Sequence, residues 1–279
     1  MSASQSVLRQ AQSWAESRRP EYVQAMARPA RLGRAKELVF LRWEKRSLDA
    51  TEAFWRDFGF GITERRPEAV WARGTGTSPC IAWARQGKHN RFLGPAFAMS
   101  EDTRLQDYVD QAGAQWLSPA EIPGGGQGVA LKDPSGREVW LLQGQARLSA
   151  LPQREPMTVQ TNDGALTRRV NAMVRPPLQA AQVLRLGHWV MQTIDFSGMA
   201  HWYMRMLGLI PTDVQYLADG SPALTFFRLD LGNAPADHHS VVIVGGIEDK
   251  YEHSAYEVTD LDALGQGQQV LRARSPGRA

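Results

Sequence analysis

The sequence predicts an α+β protein in which one strand–helix–strand–strand–strand unit occurs twice. The first copy opens with an apolar strand at 37–43 and a helix at 49–57, and the second opens with a strand at 184–190 followed by a similar helix. In both copies a glycine, Gly59 or Gly208, follows the last helical turn, where a left-handed cap is favoured. Alternating apolar residues then predict further strands in each copy, so the fold class follows from the repeat itself.

Composition changes along the chain predict four regions. Residues 1–36 are polar and Arg-rich with helical spacing, which indicates a helical arm outside the core. Residues 37–145 form the first βαβββ module, and residues 146–182, which are less periodic and contain Pro and Gln, form an inter-domain linker. Residues 183–279 form the second module.

The two copies end differently. The first ends at 128–142 with a strand, a tight turn and a final strand. The second continues through a strand at 254–258 and a helix at 261–272 into an Arg-rich tail at 273–279, which has no alternating apolar residues. The sequence therefore predicts that the second module lacks its final hairpin, and we interpret the tail as a reading-frame change or a truncated gene.

Composition excludes several classes of function. Apolar residues make up 43% and charged residues 22% of the 279 residues, and the net charge is only +3, without a block of like charges. We therefore expect neither a nucleic-acid nor a membrane partner. The single cysteine, Cys80, excludes an internal disulfide and is expected to be a small buried thiol, which favours a cytoplasmic protein.

The histidines are unevenly distributed, because five of the six lie between His188 and His253. His188 and His253 stand at the heads of predicted strands, and His239 lies in a third apolar run. Imidazoles on separate strands of one small domain are typical of a metal site, since a rigid sheet fixes their geometry. The aligned positions in the first copy are apolar: Val39 or Phe40 for His188, and Pro95 for His253.

The remaining candidates favour structural roles. His238 and His239 point to opposite sides of their strand, so at most one of them faces a site. His201 is expected in the core or on the surface of a helix, and His89 in an exposed loop. The Gly-rich segment 123–128 lacks a phosphate-loop signature and precedes a strand, so it is interpreted as a connection.

A set of motifs resembles the vicinal oxygen chelate superfamily, and within it the two-domain extradiol ring-cleavage dioxygenases of the 2,3-dihydroxybiphenyl or catechol 2,3-dioxygenase type. The resemblance covers about 36–272, and its motifs are Leu186-Gly187-His188, the helix end from Trp202 to Gly208, Pro235 to Ser240, His253 to Val258 and Asp133-Pro134-Ser135-Gly136.

The resemblance implies cupped mixed sheets, a first module without metal and a second module that holds Fe(II), with Mn(II) as the alternative. His188 and His253 correspond to the two histidine ligands, and His239 corresponds to a catalytic histidine that handles oxygen and protons. The implied reaction is extradiol cleavage of a small aromatic diol with dioxygen, in the catabolism of aromatic compounds. A homo-oligomeric state is left open.

In that family the third ligand is a Glu on the final strand, which this sequence does not contain. Glu257, Asp230, Asp237 and Glu252 are not expected to replace it. Two alternatives therefore stay open. One is a metal-dependent isomerase or lyase of glyoxalase type, and the other is an inactive relic or a binding module.

Overall fold

The computed structural model describes residues 24–155, 164–171 and 177–274, and they form two mixed sheets with four α-helices, which confirms the predicted α+β class. The first half contains β1 (Ala35–Lys45), α1 (Leu48–Phe58), β2 (Gly61–Arg65), β3 (Ala69–Arg73), β4 (Ala82–Gln86), β5 (Arg91–Met99), α2 (Leu105–Ala112), β6 (Gln115–Trp116), β7 (Gln127–Lys132) and β8 (Glu138–Gln143). The second half contains β9 (Val183–Thr193), α3 (Phe196–Leu207), β10 (Ile210–Tyr216), β11 (Pro222–Arg228), β12 (Val241–Gly245), β13 (Lys250–Val258) and α4 (Leu261–Arg274).

The two sheets share one topology around their central strands. The first has the order β2-β3-β4-β1-β5-β8-β7-β6, and the second has the order β10-β11-β12-β9-β13. In each sheet the opening strand runs parallel to one neighbour and antiparallel to the other: β1 lies between β4 and β5, and β9 lies between β12 and β13. Within the described residues, β13 is an edge strand, whereas its counterpart β5 pairs with β8.

The first half contains two of the repeated units, whereas the sequence predicts one. The order strand–helix–strand–strand–strand occurs twice there, as β1 to β4 with α1 and as β5 to β8 with α2. The second half contains one such unit, followed by β13 and α4. The predicted arm at 1–36 lies outside the described residues up to position 23, and residues 24–34 form neither helix nor strand.

The helices begin and end at the residues that the sequence marks. The side chain of Ser47 accepts a hydrogen bond from the backbone of Ala50 to start α1, and Asp195 does the same for Gly198 at the start of α3. Gly59 and Gly208 end these helices with positive φ angles of 114° and 67°, which confirms the predicted glycine caps.

Gly59 is also a point of close contact, and its replacement by alanine is expected to destabilise the fold by about 2–4 kcal/mol. A Cβ atom at this position would lie 1.7 Å from the carbonyl oxygen of Ala181, on the segment that enters β9. Gly113 caps α2 with φ +66°, and a Cβ there would meet nothing within 4 Å, so Gly113→Ala is the matched control, expected to cost only about 1 kcal/mol. Urea denaturation of both variants measures the difference, and equal losses would contradict the close contact.

One hydrophobic core joins the two halves. The convex, helix-bearing faces of both sheets contribute to it, so residues such as Trp189, Tyr203 and Tyr108 are fully buried. Phe92 of β5 lies 5.4 Å from the Trp189 ring and 4.8 Å from the Tyr251 ring, measured between centroids. The concave faces therefore lie on the other side of each sheet, away from this core.

A buried polar cluster also connects the halves at the turn between β7 and β8. The Asp133 side chain is fully buried and accepts hydrogen bonds from the Ser135 hydroxyl and from backbone amides of the turn. It also faces the Arg137 guanidinium at 3.4 Å and accepts a 3.2 Å hydrogen bond from the Tyr203 hydroxyl on α3. Burial and the neighbouring Asp133 carboxylate raise the pKa of Tyr203, so this hydroxyl remains a donor.

Other structural predictions have clear outcomes. Cys80 is a free cysteine with no exposed surface, as predicted, and burial raises the pKa of its thiol. The Gly-rich connection leads into strand β7, as expected, and Gly124, Gly125 and Gly126 all have positive φ. Within the described residues, none of the helices combines the length and the apolar character that crossing a bilayer requires.

Candidate metal centre

Three imidazoles from different parts of the second half converge on the concave face of the five-stranded sheet. His188 lies in β9, His253 in β13, and His239 directly before β12. The ring centroid of His188 is 4.4 Å from that of His239 and 5.5 Å from that of His253. His188 and His239 are half-buried and His253 is exposed, so the cluster is open to solvent.

Strand pairing brings these side chains together. His253 is the register partner of Val190, and the backbone amide of Trp189 donates to the carbonyl of Ser240, which follows His239. Trp189 is buried in the shared core, so its neighbours along the strand face the concave side. His188 lies in the middle of β9 rather than at its head, because the strand begins earlier, at the buried Val183.

Burial and repulsion between the rings favour the neutral form of His188 and His239. Loss of hydration lowers the pKa of His188 to about 4, with additional contributions from His239 and His253. The pKa of His239 is also lowered, mainly by burial and then by His238. Near neutral pH these two rings are therefore neutral imidazoles, the form in which histidine offers a lone pair to a metal.

A hydrogen-bonded chain behind the cluster was not predicted from the sequence. The Nε2 atom of His238 lies 2.9 Å from an Asp213 carboxylate oxygen, and its Nδ1 lies 3.0 Å from Nδ1 of His239. A neutral His238 that donates through Nε2 can only accept at Nδ1, so His239 donates from Nδ1 and keeps the lone pair on Nε2. Asp213 is a single acid within strand β10, and no motif around it in the sequence indicates a role at the site.

The nearby carboxylates are engaged elsewhere. Arg185 pairs with Asp237 at 2.7 Å and with Glu257 at 2.6 Å. Asp230 pairs with Arg31 at 2.5 Å, and Glu252 lies 3.3 Å from a lysine ammonium group. In the part of the chain that the structure describes, no group of three or more His, Cys, Asp or Glu side chains is arranged to hold a metal ion.

The spacing of two imidazole pairs is nevertheless compatible with a shared divalent transition metal ion. Imidazoles that bind one ion at ~2.1 Å bring their ring centres within about 6 Å of each other, and His188 meets this condition with both His239 and His253. Imidazole donors suit Fe, Zn, Ni and Cu ions. Among the described residues, the cluster thus offers a metal only nitrogen donors. A metal site made of two histidines and one carboxylate would lack its carboxylate here.

The other histidines lie apart from this cluster. His201 is exposed on α3, and His89 is exposed in the loop before β5, as the sequence indicated for both. The two largest cavities that we describe, of about 620 and 570 Å³, have no histidine in their linings.

The first half shows what replaces the imidazoles at matching positions. The backbone amide of Leu41 donates to the carbonyl of Ile81, just as the amide of Trp189 donates to the carbonyl of Ser240. Leu41 and Ile81 therefore match Trp189 and Ser240. One residue earlier along the chain in each case, Phe40 takes the position of His188 and Cys80 takes that of His239. By register, Gly94 rather than the expected Pro95 matches His253. The shift of one residue reflects the bulges in both antiparallel pairs. A Cβ at Gly94 would lie 1.9 Å from a carbonyl oxygen, which leaves no room there for a side chain.

Comparisons with known proteins support the fold. The chain matches no model of a protein family, and a search of curated proteins gives no significant match. Among solved structures, the Mn(II)-bound glyoxalase from Novosphingobium aromaticivorans is 18% identical with a TM-score of 0.65, over 87% of this chain and 72% of that one.

Two dioxygenase structures are similar to the same degree. Homoprotocatechuate 2,3-dioxygenase from Arthrobacter globiformis is 15% identical with a TM-score of 0.67, over 91% of this chain and 73% of that one. An extradiol ring-cleaving dioxygenase from B. fuscum is 15% identical with a TM-score of 0.68, over 90% of this chain and 65% of its own length. The chain therefore has the vicinal oxygen chelate fold, which glyoxalases and extradiol dioxygenases share.

Proposed function

We propose that this protein cleaves a catechol-type aromatic diol with dioxygen, in the extradiol manner, at a non-haem Fe(II) centre. His188 and His253 are the proposed metal ligands, and His239 is the proposed catalytic residue. The observation that supports this assignment most strongly is the convergence of the three imidazoles on one concave face, with ring centroids 4.4 and 5.5 Å from His188. Similarity in fold to extradiol dioxygenases supports the same reaction class.

The protein side chains have separate roles in this proposal. Fe(II), when bound, supplies open coordination positions for a chelating diol and for dioxygen. His239 keeps a lone pair on Nε2, so it can take the proton of a diol hydroxyl and return it later. His238 and Asp213 hold the His239 ring through the Nδ1 contact, and the Phe226 ring packs 5.0 Å from it.

The proposed metal is compatible with the donors, and the similarity in fold to extradiol dioxygenases favours iron among the ions that imidazole binds. Neutral imidazoles suit Fe(II), and Mn(II) is the alternative, as in the Mn(II)-bound glyoxalase of the same fold. The described residues leave the carboxylate position of a facial triad unfilled. We therefore expect weaker metal binding than in a complete triad, and iron must be supplied in excess for any assay.

Oxygen uptake tests the reaction directly. The protein is reconstituted anaerobically with excess Fe(II) and mixed with air-saturated catechol or 2,3-dihydroxybiphenyl, and oxygen consumption is followed together with the absorbance of the ring-opened product. The expected result is one dioxygen consumed per diol. A sample that binds iron but consumes no oxygen with either diol would contradict the proposal.

His239 is expected to affect turnover more than iron binding. His239→Ala should lower kcat by about 10²- to 10⁴-fold, because a positioned acid–base group contributes that much, while the iron content stays close to that of the unsubstituted protein. His89→Ala, in an exposed loop, is the matched control and should leave both quantities unchanged. Loss of iron in His239→Ala equal to that in His188→Ala would instead make His239 a ligand.

A glyoxalase-type isomerase or lyase is the second candidate, favoured by the similarity to the Mn(II)-bound glyoxalase. Such an enzyme needs a metal but no dioxygen. Turnover of the methylglyoxal–glutathione adduct by the Mn(II)-loaded protein under anaerobic conditions, without oxygen uptake on catechols, would support this candidate. If the protein bound no divalent metal, the remaining alternative would be an inactive relic or a binding module.

A further inference from the structure

The concave face of the eight-stranded sheet carries a second cavity, separate from the histidine cluster. Its volume is about 570 Å³, within the range of roughly 300–1,000 Å³ typical of small-molecule sites. Beside it the concave face is filled by Phe40, Cys80 and their apolar neighbours. Residues from β1, β4, β5, β7 and β8 line the cavity, and Asp249 of the second half lies at its rim.

Two indole rings and one guanidinium form the innermost part of this cavity. The Trp83 and Trp140 rings lie 6.2 Å apart between centroids at an interplanar angle of 48°. The Arg42 guanidinium stacks 4.0 Å from the centre of the Trp140 ring, and Arg42 is only 2% exposed. Trp83 is partly exposed beside this buried Arg42–Trp140 stack and offers an aromatic face to a planar ring.

Two acidic groups at the cavity are paired with its arginines. Glu138 accepts a 2.8 Å hydrogen bond from Arg42 and a 2.6 Å hydrogen bond from the Trp140 indole. Glu44, which is buried beneath the rim, accepts from Arg91 at 2.9 Å and from Arg85 at 3.4 Å. These contacts fix the arginine side chains in place around the opening.

Each arginine of the lining is paired with an acid, so the cation available to an anionic ligand is Lys132. Five basic residues line the cavity, namely Arg42, Arg85, Arg91, Lys132 and Arg137, against three acidic residues, namely Glu121, Glu138 and Asp249. Lys132 at the exposed end of β7 has no ion-pair partner in the part of the chain that the structure describes. A charge-assisted hydrogen bond from such a free ammonium group to a carboxylate is among the stronger polar contacts.

We propose that this cavity is a second ligand site, which binds a planar aromatic carboxylate without a metal. The ring lies against Trp83 and Trp140, and the carboxylate is held by Lys132 and the rim arginines. The site does not depend on the proposed ring-cleavage activity, because no histidine lines it.

Calorimetric titration of the full chain with 2-naphthoate tests the site. Binding is expected for 2-naphthoate and, more weakly, for benzoate. Inorganic phosphate lacks the ring and 2-naphthol lacks the carboxylate. Each is therefore expected to bind at least about tenfold more weakly than 2-naphthoate, which corresponds to the loss of one strong contact. No heat with 2-naphthoate at millimolar concentration, or phosphate binding as tightly as 2-naphthoate, would overturn the proposal.

Variants locate the binding. Lys132→Gln removes the charge of an exposed side chain and should weaken 2-naphthoate binding about tenfold. Arg85→Gln should weaken binding less, because Arg91, held by Glu44, still supplies a guanidinium group at the rim. Lys88→Gln, an exposed charge outside the cavity, should have no effect. His188→Ala should also leave binding unchanged. Unaltered affinity in Lys132→Gln, or lost affinity in His188→Ala, would show that the carboxylate binds elsewhere.

Discussion

Replacement of His188 by alanine is expected to lower the affinity for Fe(II), or for Co(II) as its spectroscopic substitute, more than any change in the second half except replacement of the other proposed ligand, His253. His188 is the central ring of the cluster, with His239 at 4.4 Å and His253 at 5.5 Å between centroids. Loss of a group that only supports a ligand costs about 10- to 100-fold in affinity. Loss of the ligand itself should exceed that range and abolish oxygen uptake with catechols.

The control for this variant is another histidine of the same half. His201→Ala removes an imidazole that is exposed on α3 and should bind Co(II) as the unsubstituted protein does. His253→Ala should behave as His188→Ala, because the two are proposed to share one ion. Absorbance titration with Co(II) under anaerobic conditions measures all three. If His188→Ala kept the affinity of the unsubstituted protein, His188 would not belong to the ligand set.

Replacement of Asp133 by alanine is expected to be the most destabilising single change described here, with a loss of about 3–5 kcal/mol in the free energy of unfolding. The side chain is fully buried, and its removal leaves the Arg137 guanidinium, only 10% exposed, without its acid. It also leaves the Tyr203 hydroxyl unpaired in the core. The turn between β7 and β8 would then lose its attachment to α3.

Two further variants separate the parts of this effect. Tyr203→Phe removes one hydrogen bond and keeps the ion pair, so a loss of about 1 kcal/mol is expected. Asp110→Ala removes an acid that is exposed on α2 and accepts a hydrogen bond from Gln106, and should change stability by less than about 0.5 kcal/mol. Guanidinium denaturation gives the three values. A loss in Asp133→Ala no larger than in Asp110→Ala would contradict the role of the buried cluster.

The sequence was sufficient for the parts of the fold that depend on local physics. The caps Gly59 and Gly208, the strands around His188 and His253 and the buried Cys80 follow from backbone preference and apolar periodicity. The predicted repeat does not divide the first half, which contains two units built on α1 and α2. The glycine cap of α2 at Gly113 was the available signal.

The contacts that depend on distant pairing could not be predicted. Nothing near Asp213 in the sequence marks it as the partner of His238, because that contact is set by β10 and the loop before β12. The pairing of Arg185 with both Asp237 and Glu257 depends in the same way on strand register. The position of His253 corresponds to Gly94 in the first half. This correspondence can be assigned only when the bulges in the β1–β5 and β9–β13 pairs are known.

The shared core has a consequence for how this protein is built and handled. Phe92 and Trp43 of the first half pack against Trp189 and Tyr251 of the second, so neither half can be produced alone without exposing large aromatic rings to water. During synthesis, the first half is expected to expose this apolar surface until β13 has been made. Chaperone demand should therefore be greatest in that interval, and fragments that stop before Lys250 should be recovered as insoluble material.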